Sequence, residues 1–175
     1  MIHSILADKA TRLYIFLGTF FVANALIAEL IGVKLFQLET ALGLSMADFT
    51  LLGQDHLSFV LSVGVLPWPI VFIMTDVVND YYGVRGVRFL TLITAGLIAF
   101  AFVMLYFAIH VAPAGFWITS SSAQGVPDMQ AAFANIFGQG MNIILGSLTA
   151  FITGQLVDAF SFRAIKRLTG DKRIW

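Results

Sequence analysis

Four apolar segments, each long enough to cross a lipid bilayer as a helix, limit what this chain can fold into. A helix needs about 20 mainly apolar residues to span the hydrocarbon core. Only 11% of the 175 residues are charged, against roughly a quarter in soluble domains. The sequence therefore predicts an all-α integral membrane protein, a single helical bundle in which four spans are visible, at residues 13–36, 57–82, 88–112 and 141–162.

Proline and glycine indicate where the helix of the second segment begins and ends. Pro67-Trp68-Pro69 interrupts it, and proline removes backbone donors and disfavours helix in the residue before it. We therefore expect a break there, a regular helix from about Trp68 to Tyr82, and a stop at Gly83.

The fourth segment has its own start signals. Asp128 is placed to cap a helix that begins as an amphipathic turn over 129–137. We expect that helix to loosen at Gly138 and Gly140 before it spans the membrane.

The first segment has an alternative interpretation as a cleaved signal peptide. Lys9 and Arg12 would be its basic region, and Ala23-Asn24-Ala25 has the small residues of a cleavage site. Apolar sequence continues past this site, which favours a membrane span.

The distribution of Lys and Arg predicts the orientation. The loops at 37–56 and 113–128 contain neither residue and should face outward. The N-terminus, the turn between the second and third spans and the tail up to residue 175 should face the cytoplasm, because they hold Lys9, Arg12, Arg85, Arg88, Arg163, Lys166, Arg167, Lys172 and Arg173.

Acidic residues near the end of the second span call for a functional explanation. Asp76, Asn79 and Asp80 share one helical face, at a helix C-terminus, where the macrodipole disfavours anions. The alternative is that these acids form interfacial ion pairs with Arg85 and Arg88.

Polar residues also mark the first and fourth spans. Ser147, Gly154, Asp158 and Ser161 lie close to one line on the fourth helix, with Gln155 beside it. Gln155 and Asp158 could either bind a ligand or hydrogen-bond to another helix. Glu29 and Lys34 are five residues apart on the first span, too far round a helix to pair well, so each should find a partner on another helix.

Enzyme signatures are missing from the sequence. It has no cysteine, no glycine-rich nucleotide loop and no HExxH motif, and its three histidines are scattered. The formal net charge is zero, so nothing indicates a nucleic-acid partner. We predict a protein without catalytic activity, metal site or cofactor.

Three stretches resemble the queuosine precursor transporter family, also called the vitamin uptake transporter family. They are AELIGVKLF at 28–36, PWPIVFIMTDVVNDYYGVRGVR at 67–88 and GSLTAFITGQLVDAFSFRAIKRLTGDKRIW at 146–175. The resemblance implies a six-helix protein of the bacterial inner membrane that imports 7-cyano-7-deazaguanine or related deazapurine bases. With four spans visible where six are expected, the chain is either C-terminally incomplete or a shortened relative that needs a partner.

The family pattern carries over onto several polar positions of this chain. Asp80 stands where the family usually has Glu, and Asn142 stands where many members have Arg. The matching positions are Lys34, Thr75, Asp76, Asn79, Tyr82, Gly83, Ser147, Gln155 and Asp158.

These observations combine into a predicted site. The carboxylate of Asp76 or Asp158 would accept the donor edge of a deazaguanine, Gln155 and Asn79 would bind its other edge, and Trp68 would either stack on the ring or anchor the helix at the interface. Asp80, Glu29 and Lys34 would serve gating or coupling.

Membrane lipid and the deazapurine are the expected partners, together with either a second copy or a coupling module. The competing hypotheses are a non-transporting membrane subunit and a substrate-binding component that depends on an energy-coupling-factor ATPase module. Ala95 and Ala99 would offer the docking face for such a module.

Overall fold

A computed structural model describes residues 7–169, except for the side chains of residues 140 and 142–144. The predicted roles of Asn142 and of the tail at Trp175 therefore lie outside the described residues. The chain is mostly helical, at 74%, as the sequence predicts. The elements are α1 (Lys9–Ile31), β1 (Leu35–Gln37), α2 (Leu38–Ala41), β2 (Phe49–Leu51), β3 (Gln54–Leu57), β4 (Val60–Ser62), α3 (Trp68–His110), α4 (Gly115–Ile118) and α5 (Met129–Thr169).

Helix α1 is shifted towards the N-terminus relative to the predicted 13–36. The Asp8 carboxylate caps its first turn by accepting from the backbone N–H groups of Ala10 and Thr11, which is the usual role of aspartate at this position. The helix ends at Ile31, and the chain turns into strand β1. Lys34 therefore lies beyond the helix, and its predicted place within a membrane-spanning helix is wrong.

Short strands between α1 and α3 make the prediction of an all-α fold incomplete. Strand β1 pairs antiparallel with β4, and β2 pairs antiparallel with β3. Residues 57–66 are extended or in a 3-10 turn, so the predicted helical segment at 57–82 is wrong in its first part. The physical reason is that β1 offers hydrogen bonds to this stretch, while Pro67 keeps helix from extending backwards.

We call residues 35–62 the ribbon. The buried side chain of Glu39 links its parts. The Glu39 side chain is only 6% exposed, and its Oε1 accepts from the backbone N–H of Phe59 at 2.9 Å and of Ala47 at 3.3 Å. The hydrogen bond from Phe59 is the main cause that lowers the pKa of Glu39 below its ordinary value. The carboxylate thus ties α2 to the strands that follow it.

Gly83 divides α3 into two helices, which we call α3a (68–82) and α3b (84–110). Its φ of 69° and ψ of 179° are not helical and lie in a region that is essentially restricted to glycine. The chain folds back at this point, because Gly86 packs against Val78, which belongs to α3a. The predicted helix from Trp68 to Tyr82 with a stop at Gly83 is confirmed.

The later helices differ from expectation in their bounds. Helix α3b begins directly after Gly83 rather than at 88 and ends at His110. Asp128 caps α5 as predicted, accepting from the backbone N–H of Ala131 at 2.9 Å. Helix α5 is continuous from Met129 to Thr169, so the predicted loosening at Gly138 and Gly140 is wrong, because unbroken i to i−4 hydrogen bonds tolerate single glycines.

Contacts between the helices define two ends of the bundle. At one, the basic end, the Tyr82 hydroxyl donates to the Ala10 carbonyl at 2.5 Å, and Asp80 pairs with Lys166. At the other, the ribbon end, the C-terminal part of α1, the start of α3a and the middle of α5 meet. Helices α1 and α3b therefore run in one direction, and α3a and α5 run in the other.

Two helical stretches of the described residues, Lys9–Ile31 and Val63–His110, are long and apolar enough to cross a membrane. The second contains both halves of the α3 hairpin. Within the bundle, α3 packs most extensively against α5 and next against α1. The regions that carry Lys9 and Arg12, Arg85 and Arg88, and Arg163 to Arg167 all lie towards the basic end. Which side of the membrane this end faces stays a prediction. That four segments cross the membrane stays a prediction.

Candidate functional site

A row of polar side chains, which we call the seam, joins α3a to α5 inside the bundle. Two buried hydrogen bonds form it: the Thr75 hydroxyl donates to Gln155 Oε1 at 2.8 Å, and Asn79 Nδ2 donates to the Ala159 carbonyl at 2.9 Å. Thr75 and Gln155 are each 1% exposed. Asp76 and Asp158, the neighbours of these residues on the two helices, complete the seam. The alternative that Gln155 hydrogen-bonds to another helix is therefore confirmed, whereas the bond made by Asn79 was not predicted.

Two polar groups of the seam have no partner in the described part of the chain. Gln155 Nε2 and Asp158 Oδ2 are both buried without a hydrogen bond. The single proton of the Thr75 hydroxyl is shared between Gln155 Oε1 at 2.8 Å and the Val71 carbonyl of its own helix at 3.0 Å, and no described group bonds to Gln155 Nε2. An unpaired buried polar group costs about 1–3 kcal/mol, which a bound polar ligand would offset.

Asp76 and Asp158 are close enough to interact electrostatically. Both side chains are only partly exposed, and two like charges in a poorly solvated place repel each other. A proton, a cation or the N–H groups of a ligand between them would relieve that repulsion. The structure thus brings together four of the predicted substrate-binding residues, namely Asp76, Asn79, Gln155 and Asp158.

Trp68 does not belong to this seam. Its ring lies 5.9 Å from the ring of Phe151, which in turn lies 6.1 Å from the ring of Phe21. Phe151 is one helical turn after Ser147 and one turn before Gln155, and it is 3% exposed. These three rings form the aromatic layer, in which Phe151 lies next to the seam along α5 and Trp68 lies on the far side of Phe151.

A cavity of about 380 Å³ lies on the other side of the aromatic layer, at the ribbon end. The Glu29 carboxylate and the Ser147 hydroxyl face each other there, with Ser147 Oγ donating to Glu29 Oε1 at 2.6 Å. The prediction that Glu29 finds a partner on another helix is confirmed. The cavity is lined by Ala28, Glu29, Gly32, Val33, Leu61, Ser62, Gly64, Val65, Trp68 and Ser147.

Asp80 lies apart from both sites. It pairs with Lys166 near the end of α5, not with Arg85 or Arg88 as the alternative interpretation had it. The Arg88 guanidinium instead lies 4.8 Å from the centre of the Phe160 ring.

Lys34 is exposed beyond the end of α1. It forms no ion pair within residues 7–169, so the partner on another helix that was expected for it is not found there.

Sequence reasoning missed Phe151, Ser62 and Lys166. The four-residue spacing of Ser147, Phe151 and Gln155 could have placed Phe151 on the polar face of α5. Ser62 joins the cavity wall only because β4 pairs with β1, and no local pattern indicates that pairing.

Two further observations concern the predicted docking face and metal binding. Ala95 is 8% exposed and packs in the core of the chain, so the predicted docking face on α3b is partly covered. In the range that the structure describes, no three His, Asp or Glu side chains are grouped to hold a metal ion.

Comparison with known proteins identifies the family of the chain. No curated protein and no solved structure matches the chain. A family model described as "Putative vitamin uptake transporter" matches residues 62–175, well over half of the chain. That range includes both helices of the seam, Gly83 and the aromatic residues Trp68 and Phe151. On this match, the chain is a membrane protein that belongs to the vitamin uptake transporter family.

Proposed function

We propose that this protein imports queuosine precursors, 7-cyano-7-deazaguanine or related deazapurine bases, across the bacterial inner membrane. The family match supports uptake of a vitamin-like compound, and the sequence resemblance narrows the compound to deazapurines. The observation that carries the proposal is the pair of unpartnered groups in the seam, Gln155 Nε2 and Asp158 Oδ2.

The chemistry of these two groups matches the edge of a deazaguanine. That edge carries a ring N–H and an exocyclic amine next to a carbonyl oxygen. The Asp158 carboxylate accepts from the N–H groups, and the Gln155 amide donates to the carbonyl. Asp76 interacts electrostatically with Asp158, so N–H groups bound at Asp158 would also reduce the repulsion between the two acids.

Asn79 and Trp68 have more indirect roles in this proposal. Asn79 is 6% exposed and holds the Ala159 carbonyl with one amide N–H, so it sets the spacing of the two helices, while its second N–H and its oxygen are the groups that would bind the base. Trp68 stacks on the base at the ribbon end, before the base passes the aromatic layer.

The path of the base follows from the two ends of the bundle. With the N-terminus and residue 175 in the cytoplasm, the ribbon end faces outward and the basic end faces inward. The Asp80–Lys166 pair then closes the inner end as a gate, while Glu29 and Lys34 act at the outer end. No cofactor is required, and either a second copy of the chain or a coupling module is the partner within the membrane.

Uptake of labelled 7-cyano-7-deazaguanine by cells that express the protein tests the proposal. Asp76→Asn and Asp158→Asn keep the size of each side chain and remove its charge, and each should lower uptake at least tenfold. Asp128→Asn is the matched control, because it removes a charge at the start of α5 while asparagine caps a helix equally well. Undiminished uptake in both seam variants would sink the proposal.

A second candidate, a non-transporting subunit or a binding component that depends on an ATPase module, is favoured by one observation. Both seam hydrogen bonds join α3a to α5 directly, as they would in a purely structural role. Purified protein in sealed vesicles separates the candidates: uptake without any ATPase supports a transporter, whereas base binding without uptake supports the dependent component.

A further inference from the structure

Arginine side chains gather where the start of α3b lies against the last part of α5. The Arg88 guanidinium lies 4.8 Å from the centre of the Phe160 ring, so these two residues mark the contact between the helices. Because α3b and α5 are antiparallel, the basic end is reached backwards in sequence on α3b and forwards on α5. Arg85 and Arg163 are each three residues closer to that end, which is about 4.5 Å along each helix, so they lie at a similar depth.

The helical repeat keeps these arginines on the sides of the helices that hold the contact. At about 100° per residue, Arg85 lies about 60° round α3b from Arg88. On α5, Arg163 and Arg167 lie about 60° and 20° round the helix from Phe160. All four arginine side chains are exposed. We call Arg85, Arg88, Arg163 and Arg167 the arginine cluster.

No acid neutralises the arginine cluster within residues 7–169. Asp80 pairs with Lys166, and the Asp8 carboxylate accepts from the first turn of α1. None of the ion pairs in this range includes an arginine. Like charges on neighbouring helices repel one another, and the guanidinium fork holds two oxygens of a phosphate group at once. The cluster therefore fits an anion that carries several oxygen acceptors.

The surface next to the arginine cluster indicates which kind of anion this is. Leu92 lies about one turn from Arg88, and Val157 lies about one turn from Phe160, both towards the middle of the bundle. Leu92 is 64% exposed, Val157 is 59% exposed and Phe160 is 46% exposed. Acyl chains would cover this apolar surface, whereas a free phosphate ion would leave it uncovered. A basic surface that continues into an apolar one matches a phosphate group attached to acyl chains.

We propose that the arginine cluster binds the phosphate group of one anionic phospholipid, whose acyl chains lie along α3b and α5 towards the middle of the bundle. Basic residues beside the ends of membrane helices recognise anionic headgroups in this way. The lipid bridges α3b and α5 beside the Asp80–Lys166 pair. This inference is independent of the compound that the protein transports.

Native mass spectrometry of the full chain in detergent tests this inference, with phosphatidylglycerol and phosphatidylcholine of identical acyl chains as probes. The wild type should bind phosphatidylglycerol about tenfold more tightly, because only this lipid carries a net negative charge. Combining Arg85→Gln with Arg163→Gln should abolish the preference. Lys9→Gln with Arg12→Gln is the matched control, because it removes two charges from α1 at the same end of the bundle, and it should keep the preference.

Equal affinity of the wild type for the two lipids would overturn the inference. Equal losses in the two double variants would also overturn it, because they would indicate a general attraction of the basic end to anionic lipid. Inorganic phosphate is the third probe: if it raises the midpoint of thermal unfolding of the wild type as much as phosphatidylglycerol does, the cluster binds free anions and the lipid proposal is wrong.

The unfolding midpoint of each variant without added lipid reports whether it folds. If the variant with both Arg85→Gln and Arg163→Gln does not fold, Arg167→Gln replaces it and should weaken the binding of phosphatidylglycerol alone. An equal effect of Arg167→Gln on both lipids, or no effect on either, would contradict the site.

Discussion

The Thr75 hydroxyl donates to the side-chain oxygen of Gln155 across 2.8 Å, although 80 residues separate the two in the chain. Both residues are almost completely buried, and the bond aligns α3a with α5. Its geometry also decides what remains available at the seam, because an amide held at one end presents its other end to a ligand.

Replacing Thr75 with valine should destabilise the bundle by about 1–2 kcal/mol. Valine has nearly the same shape but cannot satisfy Gln155, so the whole amide is then buried without a partner. The loss should appear as a lower midpoint of thermal unfolding in detergent. Thr149→Val on the exposed side of α5 is the control, because its hydroxyl bonds only to the Leu145 carbonyl within the same helix; an equal loss there would contradict a specific role for the bond.

Gly83→Ala should cost about 1–3 kcal/mol. The cause is conformational, since a Cβ at this position would meet nothing within 4 Å while φ remains at 69°. Gly96→Ala is an informative contrast: Gly96 lies in the regular part of α3b with equally open surroundings, so alanine should leave stability unchanged or raise it by up to about 1 kcal/mol. The midpoint of thermal unfolding should therefore fall in Gly83→Ala, and it should stay unchanged or rise in Gly96→Ala.

Removing the ion pair between Asp80 and Lys166 should change the rate of transport more than it changes the stability of the fold. The two side chains are 34% and 40% exposed, and ion pairs at such exposure contribute at most about 1 kcal/mol. Asp80→Asn should therefore barely change the unfolding midpoint, yet it should alter the rate of deazapurine uptake if the pair closes the inner end. Exchanging the two residues, Asp80→Lys with Lys166→Asp, should restore the rate, and a gate role is refuted if the exchange behaves like the single variant.

Acidification should loosen the ribbon through Glu39. Because the folded state lowers the pKa of Glu39 below its ordinary value of 4.5, its carboxylate contributes stability above that pH. The contribution is lost as the pH falls through the lower folded value. The hydrogen-exchange protection factors of residues 35–62, which correct for the pH dependence of intrinsic exchange, should therefore decrease in the wild type as the pH drops below about 4.5.

The variant Glu39→Gln isolates this effect. In this variant the ribbon should already have lower protection factors at neutral pH, and they should decrease little further on acidification. The ribbon of Asp55→Asn should follow the wild type. Identical pH profiles for Glu39→Gln and the wild type would show that other groups cause the loosening.

Local chemistry allowed much of the fold to be predicted. Asp128 caps α5, and Gly83 ends α3a where the sequence predicts. Both depend on interactions within a few residues, namely a side chain that accepts backbone N–H groups and a backbone angle that only glycine adopts easily. By contrast, residues 57–66 are apolar enough to suggest a helix, and their extended form depends on pairing with β1, a distant segment.

The candidate site shows the same division. The polar spacing on each helix placed Asp76 with Asn79, and Gln155 with Asp158, because 3.6 residues per turn set which side chains share a face. Trp68 was expected among them, yet the intervening Phe151 assigns it to the cavity with Glu29. The partner of Asp80 was likewise expected near in sequence, at Arg85 or Arg88, and is Lys166 instead.

The sequence by itself determined the apolar helices, their caps and breaks, the polar faces and the membership of a transporter family, since each depends on composition, on short-range geometry or on motifs. Only the tertiary structure decided which faces meet. It set α3a parallel to α5, left Gln155 and Asp158 each with a group that has no partner among residues 7–169, and put an aromatic layer between the seam and the Glu29 cavity. The physical reason is that packing between distant segments selects one arrangement of these faces, and no local pattern records which one.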